Sequence, residues 1–325
     1  MTTQEPSDQS LSSNPASTLL AWVVRIVSVL GVLVCLAAGF ASGGALLHGH
    51  PMYLVLLAVV FLASSLVAIR AWRTEVSSPR RHLVLRTAGA LGSVLVFASV
   101  WWLAPYSALE PAHSAMVSDH QVTVTETATR IVLEPVEPGS HLGVFFQPGA
   151  RVDARAYTAV LRPLAENGHT VVIPKQPLGI GFLATNAFAA VRSSFDQVES
   201  WVVGGHSLGG VVASNDAEAF HVSPGHPVRG LLLFASYPVT DLSGLSLPVL
   251  SISGSGDGLA TPQKIEASTS SLPVDTGYLE ITGGIHSFFG DYGMQNGDGS
   301  PEISRDQARQ EISRASVDFA ETLGR

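Results

Sequence analysis

The chain has 325 residues, of which 46% are hydrophobic and 14% are charged, and its formal net charge is −8. This combination is unusual for a wholly soluble protein. Residues 1–104 carry a net charge of +3 and residues 105–325 carry −11, so the chain has at least two regions of different character. The acidic region argues against a nucleic-acid partner, because nucleic acids are bound by basic surfaces. The single cysteine, Cys35, excludes an intrachain disulfide and a cysteine-ligated metal site.

The N-terminal third is dominated by three apolar stretches. Residues 1–18 are polar and lack apolar periodicity, which predicts a disordered tail. The apolar stretches follow at 19–41, 52–70 and 83–104, and each has about the 20 residues that a helix needs to cross a bilayer. Buried helices of a soluble protein are the alternative for all three, and a cleaved signal peptide is the alternative for the first. Three stretches in succession, joined by short polar links, favour a membrane region at 19–104 with three transmembrane helices.

The basic residues of this region are concentrated in one link. The link 70–86 contains Arg70, Arg73, Arg80, Arg81 and Arg86. The link 42–51 contains no lysine or arginine. Because basic links stay in the cytoplasm, the N-terminus is predicted inside and everything after residue 104 outside. We therefore expect a multi-pass integral protein of the cell membrane, with the lipid bilayer as a partner and an extracytoplasmic domain.

A different pattern begins after a linker at 105–120. Residues 121–135 alternate apolar and polar side chains, which predicts a pair of antiparallel strands. Strands are then predicted at 142–146, 170–174, 201–205, 230–238, 248–254 and 277–284, and helices at 156–168, 183–200, 208–220, 261–273 and 305–323. Strands that alternate with helices indicate an α/β domain at 121–325 with a mainly parallel sheet. In such sheets, functional sites gather beyond the carboxyl ends of the strands.

The sequence GGHSLGG at 204–210 lies where a predicted buried strand passes into a helix. It contains the pattern G-x-S-x-G, with Ser207 at its centre. Glycines on both sides allow the strand and the helix to approach closely while the serine takes strained dihedral angles and projects above the sheet. The alternative is a glycine-rich turn that only packs. Ser207 is therefore a candidate nucleophile.

A serine nucleophile needs a base, and the base needs an orienting carboxylate. Of the eleven histidines, His286 is the candidate base, because it lies just past the last predicted strand. His206 adjoins the serine and is expected to point away from the site. Asp257 follows a strand in a glycine-rich turn and is the candidate carboxylate, although an ordinary turn residue would also fit there. Asp241, after the preceding strand, is the rival acid.

The order serine, aspartate, histidine along the chain is that of α/β-hydrolases. The stretch 121–325 resembles this superfamily, and more narrowly a bacterial serine hydrolase or esterase-like group related to dienelactone hydrolases. The segments that carry the resemblance are FFQPGARVDARAYTAVLRPLAENGHTVVIPK, GGHSLGG, GSGDGLATP and the ending GG-x-H…FGDYG…GDG. It implies an eight-stranded, mostly parallel sheet with helices on both faces. It also implies a serine-esterase mechanism that needs no metal or organic cofactor.

An oxyanion hole needs two backbone N–H groups. Leu208, the residue after the nucleophile, is expected to supply one of them. The other should come from the loop after the strand 142–146, where Gln147-Pro148-Gly149-Ala150 replaces the His-Gly pair of many relatives. Because Pro148 has no N–H, Ala150 is the predicted second donor and Arg151 is the alternative.

The loops predict an open site without a helical cap. Only residues 239–247 join the two strands between which many relatives insert a cap. The loop 175–186 is expected to wall the site, and it contains the apolar residues Leu178, Ile180, Phe182 and Leu183. An apolar open site suits a small ester or a lipid-like substrate, unless these side chains simply pack on the sheet.

One acidic stretch raises the question of a metal. Residues 289–302 contain Asp291, Asn296, Asp298 and Glu302. Oxygen-rich spacing of this kind can bind calcium, but the pattern matches no EF-hand loop. A glycine-rich loop with capping aspartates is therefore the expected structure.

Together these features predict a membrane-anchored serine hydrolase that cleaves carboxylic ester or thioester bonds through an acyl-enzyme. A non-catalytic, hydrolase-like module that binds a ligand or partner at the membrane is one alternative. Acyl transfer to an acceptor other than water is another. The presence of all three candidate triad residues argues against the binding module. The acyl chain length and the oligomeric state do not follow from the sequence.

Overall fold

A computed structural model describes residues 15–73, 81–137 and 139–324. Most of the predicted tail and part of the arginine-rich link, at 1–14 and 74–80, lie outside the described residues. The chain forms two compact units. One consists of Met1–Ala41 with Leu54–Ala104, and the other of Ser42–Tyr53 with Pro105–Arg325.

The first unit is helical. Its helices in the described residues are α1 (Pro15–Ala41), α3 (Met52–Arg73) and α4 (Arg81–Trp102), whereas the short helix α2 (Ala45–His48) lies in the segment that belongs to the second unit. Three segments are long and apolar enough to cross a membrane, namely Thr18–Ala41, Met52–Arg73 and Val84–Trp102. The three apolar helices predicted from the sequence are therefore present.

The one charged residue of the first apolar stretch is partnered within this unit. The Nε of Arg25 donates a hydrogen bond to the carbonyl oxygen of Ala71 at 2.9 Å. Its guanidinium lies 5.1 Å from the ring centroids of both Trp22 and Trp72. A hydrogen bond and two cation–π contacts lower the cost of a charge among apolar helices.

The second unit is built on one eight-stranded sheet. Its strands are β1 (Val122–Glu126), β2 (Arg130–Pro135), β3 (Leu142–Gln147), β4 (Val171–Pro174), β5 (Ser200–His206), β6 (Val228–Phe234), β7 (Val249–Gly254) and β8 (Gly277–Ile281). Their spatial order is β1-β2-β4-β3-β5-β6-β7-β8. The pairs β1–β2 and β2–β4 are antiparallel, and every other pair is parallel. The predicted α/β fold with its leading hairpin is confirmed.

Helices cover both faces of the sheet. They are α5 (Ala112–Ala115), α6 (Thr158–Glu166), α7 (Ala187–Val191), α8 (Leu208–Phe220), α9 (Pro262–Ser268) and α10 (Arg305–Leu323). Leu161 of α6 and Ile312 of α10 lie in one buried apolar cluster, whereas Phe188 of α7 and Ala213 of α8 lie in another. The central strand β3 is buried at every position, as a strand between two such layers must be.

The predicted helix at 183–200 is wrong over most of its length. Only α7 is α-helical there, and a 3-10 turn at Gly181–Leu183 precedes it. The chain leaves the helix after Arg192, whose carbonyl oxygen accepts a hydrogen bond from the indole N–H of Trp201 at 3.0 Å. The serines and the aspartate that follow are poor helix formers, because their side chains compete for backbone hydrogen bonds.

The segment predicted as a linker is integrated into the second unit. The N–H of Tyr106 donates to the carbonyl oxygen of Arg151 at 2.7 Å, and the N–H of Leu109 donates to that of Asp291 at 2.8 Å. The loop between the first two apolar helices also packs in this unit, where His48 Nδ1 lies 3.3 Å from a carboxylate oxygen of Glu126. Two loops at the carboxyl edge of the sheet are therefore held by residues that precede the sheet.

Candidate active site

Ser207 occupies a strained turn between β5 and α8. Its φ is 52° and its ψ is −122°, which a residue with a side chain rarely adopts. Two hydrogen bonds hold the turn: the N–H of Ser207 donates to Phe234 O at 3.0 Å, and Ser236 Oγ donates to Ser207 O at 2.6 Å. Strain kept in this way is typical of functional sites. The serine itself is partly exposed.

The glycines of the motif are required by close packing. A β-carbon at Gly205 would overlap the backbone of Gly209, and one at Gly209 would overlap the carbonyl oxygen of Gln147. The start of α8 therefore lies directly against the end of β3, as the sequence motif predicts.

Other strained residues lie on loops at the same edge of the sheet. Arg151 follows β3, Leu178 follows β4 and Ala235 follows β6, and their φ angles are 61°, 54° and 44°. Clustering of such residues marks this edge as the functional one.

Asp257 and His286 come together at this edge. Asp257 follows β7, and His286 begins a 3-10 turn after β8. His286 Nδ1 lies 2.8 Å from Asp257 Oδ2, and both side chains are buried. The other carboxylate oxygen accepts hydrogen bonds from the N–H groups of Leu259 at 2.7 Å and Ala260 at 2.8 Å. These contacts leave the carboxylate oriented to accept the Nδ1 proton.

The remaining imidazole nitrogen is available for chemistry. Among the described residues, His286 Nε2 is buried and has no hydrogen-bond partner. An imidazole with its Nδ1–H held by a carboxylate presents an unprotonated Nε2, which can accept a proton. The rival acid Asp241 is exposed and binds the N–H of Ser243 at 2.9 Å, and these bonds lower its pKa. The Asp241 carboxylate therefore accepts a hydrogen bond within its own loop rather than from His286.

The expectation that His206 points away from the site is wrong. Its ring is fully buried and lies 4.5 Å, between centroids, from the ring of His286. Because His206 immediately precedes Ser207, this contact places the His286 ring beside the turn that carries Ser207. Burial, and to a lesser extent the electrostatic influence of the neighbouring His286, hold the pKa of His206 well below its usual value.

A hydrogen-bonded chain links His206 to the loop after β3. The N–H of Gly149 donates to the hydroxyl oxygen of Tyr157 at 2.9 Å, and this hydroxyl lies 2.9 Å from His206 Nδ1. The Tyr157 hydroxyl therefore joins the Gly149 N–H and the His206 ring in one hydrogen-bonded chain. Tyr157 and His206 are 49 positions apart in the sequence, so no local sequence signal indicated this contact.

The loop after β3 leaves one N–H group free. That of Gly149 is bound by Tyr157, and that of Arg151 donates to Gly179 O at 2.6 Å. Within the described part of the chain, the N–H groups of Ala150 and Leu208 have no acceptor. The Arg151 alternative is thus already engaged, whereas both predicted donors are free.

The apolar side chains of the loop that is expected to wall the site are only partly exposed. Phe182 and Leu183 are 50% and 57% exposed, whereas Leu178 and Ile180 are half-buried. The base of this loop is tied to the loop after β3, because Gln176 Nε2 donates to Gln147 Oε1 at 3.0 Å.

The acidic stretch after His286 supplies hydrogen-bond acceptors. Asp298 accepts from the backbone N–H groups of His286 and Ser287. Asp291 pairs with Arg309 at 2.9 Å. Capping aspartates were the expected structure of this loop, and these contacts agree with it.

Comparison with protein-family models identifies the family of this fold. Residues 143–310 match the model described as alpha/beta hydrolase family, which is more than half of the chain. The chain belongs to the alpha/beta hydrolase family. The search of curated proteins gave no match.

Solved structures are similar to this alpha/beta hydrolase at low identity. A dienelactone hydrolase from Anabaena variabilis is 16% identical, with a TM-score of 0.47, and the match covers 63% of this chain and 100% of that one. A thermostable esterase from Pseudomonas putida is 18% identical, with a TM-score of 0.45 and coverages of 65% and 87%. Both are too distant to carry an activity to this chain.

The helix α8, which follows Ser207, carries a buried acid. Asp216 of α8 is 5% exposed. Burial raises the pKa of Asp216 from its ordinary 3.8 to about 7, and the nearby Gln147 side chain opposes this shift. Because the folded protein holds this proton more tightly, the stabilisation is complete below about pH 4 and is lost as the pH rises through 7.

Replacement of this acid is predicted to change stability in a pH-dependent way. Asp216→Asn removes the charge at similar shape, so its melting temperature relative to that of the wild type should be higher at pH 8 than at pH 4 by at least about 5 °C. Melting of the detergent-solubilised protein measures this, with exposed Asp241→Asn as the control. An equal effect of Asp216→Asn at both pH values would contradict the assignment.

Proposed function

We propose that this alpha/beta hydrolase is a serine hydrolase that cleaves carboxylic ester or thioester bonds, with Ser207, His286 and Asp257 as its triad. The observation that carries the proposal is the buried His286–Asp257 hydrogen bond of 2.8 Å beside the nucleophile turn, with His286 Nε2 left unpartnered. A strained serine, a base and an oriented carboxylate are the parts that acyl transfer needs.

The chemistry follows from these roles. Ser207 Oγ attacks the carbonyl carbon while His286 Nε2 takes its proton, and Asp257 stabilises the imidazolium. The N–H groups of Leu208 and Ala150 bind the oxyanion. Collapse of the tetrahedral intermediate breaks the bond to the alcohol or thiol, which leaves with the proton from His286. Water then attacks the acyl-enzyme with His286 as base, which releases the acid and restores Ser207.

The substrate class is inferred from the loop after β4, which is expected to wall the site. Phe182 and Leu183 expose apolar surface on the loop after β4, and apolar surface in a binding site favours an apolar acyl or alcohol group. A small ester or a lipid-like ester fits this description.

Removal of the nucleophile should abolish hydrolysis. With p-nitrophenyl acetate, Ser207→Ala is expected to lower kcat by at least about 1,000-fold, because the residual rate comes from the oxyanion donors and binding alone. The exposed Ser300→Ala variant is the control and should retain full activity. Unchanged hydrolysis by Ser207→Ala would refute the triad, and a folded wild type without hydrolysis would favour the binding module.

We also propose that the three apolar helices cross the cell membrane and that the hydrolase unit lies outside the cytoplasm. The arginine-rich link 70–86 favours this orientation. Ser42–Tyr53 and the chain from Pro105 onward belong to one compact unit. Two crossings between them would leave both on the same side of the membrane, which supports the proposal.

The orientation can be tested with single cysteines in a Cys35→Ser background. Ser300→Cys lies on the hydrolase unit and should react with a membrane-impermeant maleimide in intact cells. Ser77→Cys lies in the arginine-rich link and should react only after lysis. The reverse pattern would place the hydrolase unit in the cytoplasm.

A further inference from the structure

The carboxylate of Asp298 binds the backbone of the turn that carries the base. Its Oδ1 accepts a hydrogen bond from the N–H of His286 at 3.0 Å, and its Oδ2 accepts one from the N–H of Ser287 at 2.8 Å. Oδ1 also accepts from the N–H of Gly299 at 2.8 Å and from that of Gly258 at 3.4 Å. Gly258 follows the orienting acid directly, so one side chain reaches the backbone of both catalytic loops.

The turn of the base depends on such external contacts. His286–Phe289 is a single 3-10 turn, and Ile285 before it supplies no side-chain cap. The first N–H groups of a helical turn have no internal acceptors, and one isolated turn is not stable by itself. Asp298, twelve positions further along, supplies the missing acceptors as charge-assisted hydrogen bonds.

The segment around Asp298 is also packed against the turn of the orienting acid. A β-carbon at Gly299 would overlap the carbonyl oxygen of Gly256, and one at Gly258 would overlap that of Gly297. Backbones approach this closely only where glycine leaves the space. The two turns therefore cannot shift independently while this contact is kept.

We propose that Asp298 is a positioning residue that holds the His286 base against Asp257. The inference rests on the proposed function, because it assigns His286 as the base. The His286–Asp257 hydrogen bond joins two loops, so its geometry depends on what fixes those loops to each other. Asp298 does so through the backbone of each. Its loss should slow turnover and leave substrate binding unchanged, because it alters how often the base is in place.

Three variants separate this role from general loop stability. Asp298→Ala removes every acceptor. Asp298→Asn keeps Oδ1 for His286 but places an amide donor against the N–H of Ser287, so it should show the same defect in milder form. Asp291→Asn is the matched control, because Asp291 is buried in the same loop and its side chain pairs with Arg309 rather than with the turn of the base.

Kinetics of the full-length protein in detergent give the first readout. With p-nitrophenyl acetate, Asp298→Ala is expected to lower kcat by about 10- to 100-fold and to keep KM within about twofold. Asp298→Asn should fall between Asp298→Ala and the wild type, and Asp291→Asn should match the wild type. An unchanged kcat in Asp298→Ala, or an equal loss in Asp291→Asn, would overturn the proposal.

Proton NMR gives a second readout that does not require activity. The Nδ1–H shared by His286 and Asp257 should give a downfield resonance, assigned by its absence from Asp257→Ala. The resonance should persist in Asp291→Asn and disappear or broaden in Asp298→Ala, and in Asp298→Asn if the alanine variant does not fold. A wild type that shows the resonance but hydrolyses no ester would refute the proposed function alone. Persistence of the resonance in folded Asp298 variants would refute the positioning role.

Discussion

The close approach of α8 to the end of β3 is the constraint on which the site depends. A β-carbon at Gly209 would overlap the carbonyl oxygen of Gln147, so the helix reaches the strand only because glycine is present there. Leu208 adjoins this contact on the helix and Ala150 lies in the loop that follows the strand, and both have free N–H groups. Ser207, between the strand and the helix, has a positive φ. Strain of this kind costs on the order of 1–3 kcal/mol, and the hydrogen bonds to the backbone of the turn offset it.

Residues outside the proposed triad hold the other loops of the site in place. The chain from Gly149 through Tyr157 to His206 ties the loop after β3 to the nucleophile strand. On the other side, Asp298 ties the turn of His286 to the loop of Asp257. The polar groups of the first chain are buried, and a buried polar group loses much more when its partner is missing than it gains from the bond, whereas those of the second chain are only partly buried. The geometry is therefore maintained by networks rather than by single contacts.

Strand ends could be predicted from the sequence because apolar runs followed by glycine-rich turns are local signals. This placed Ser207, Asp257 and His286 at one edge of a sheet, and the structure brings the last two into contact. Contacts between distant residues had no such signal. One such contact joins the buried His206 to Tyr157. Another is the hydrogen bond from the Arg151 N–H to Gly179, which leaves Ala150 rather than Arg151 with a free N–H for the oxyanion. The helix at 183–200 was wrong because apolar spacing continues past the point where serines and an aspartate end it.

The central claim is that Ser207 is an activated nucleophile. The most direct measurement is reaction of the full-length protein in membranes with a fluorophosphonate, followed by mass spectrometry of its peptides. We expect one adduct, on the peptide that contains Ser207, formed at a rate that falls when His286 is replaced by alanine. An adduct on another serine, or no adduct on the folded protein, would contradict it.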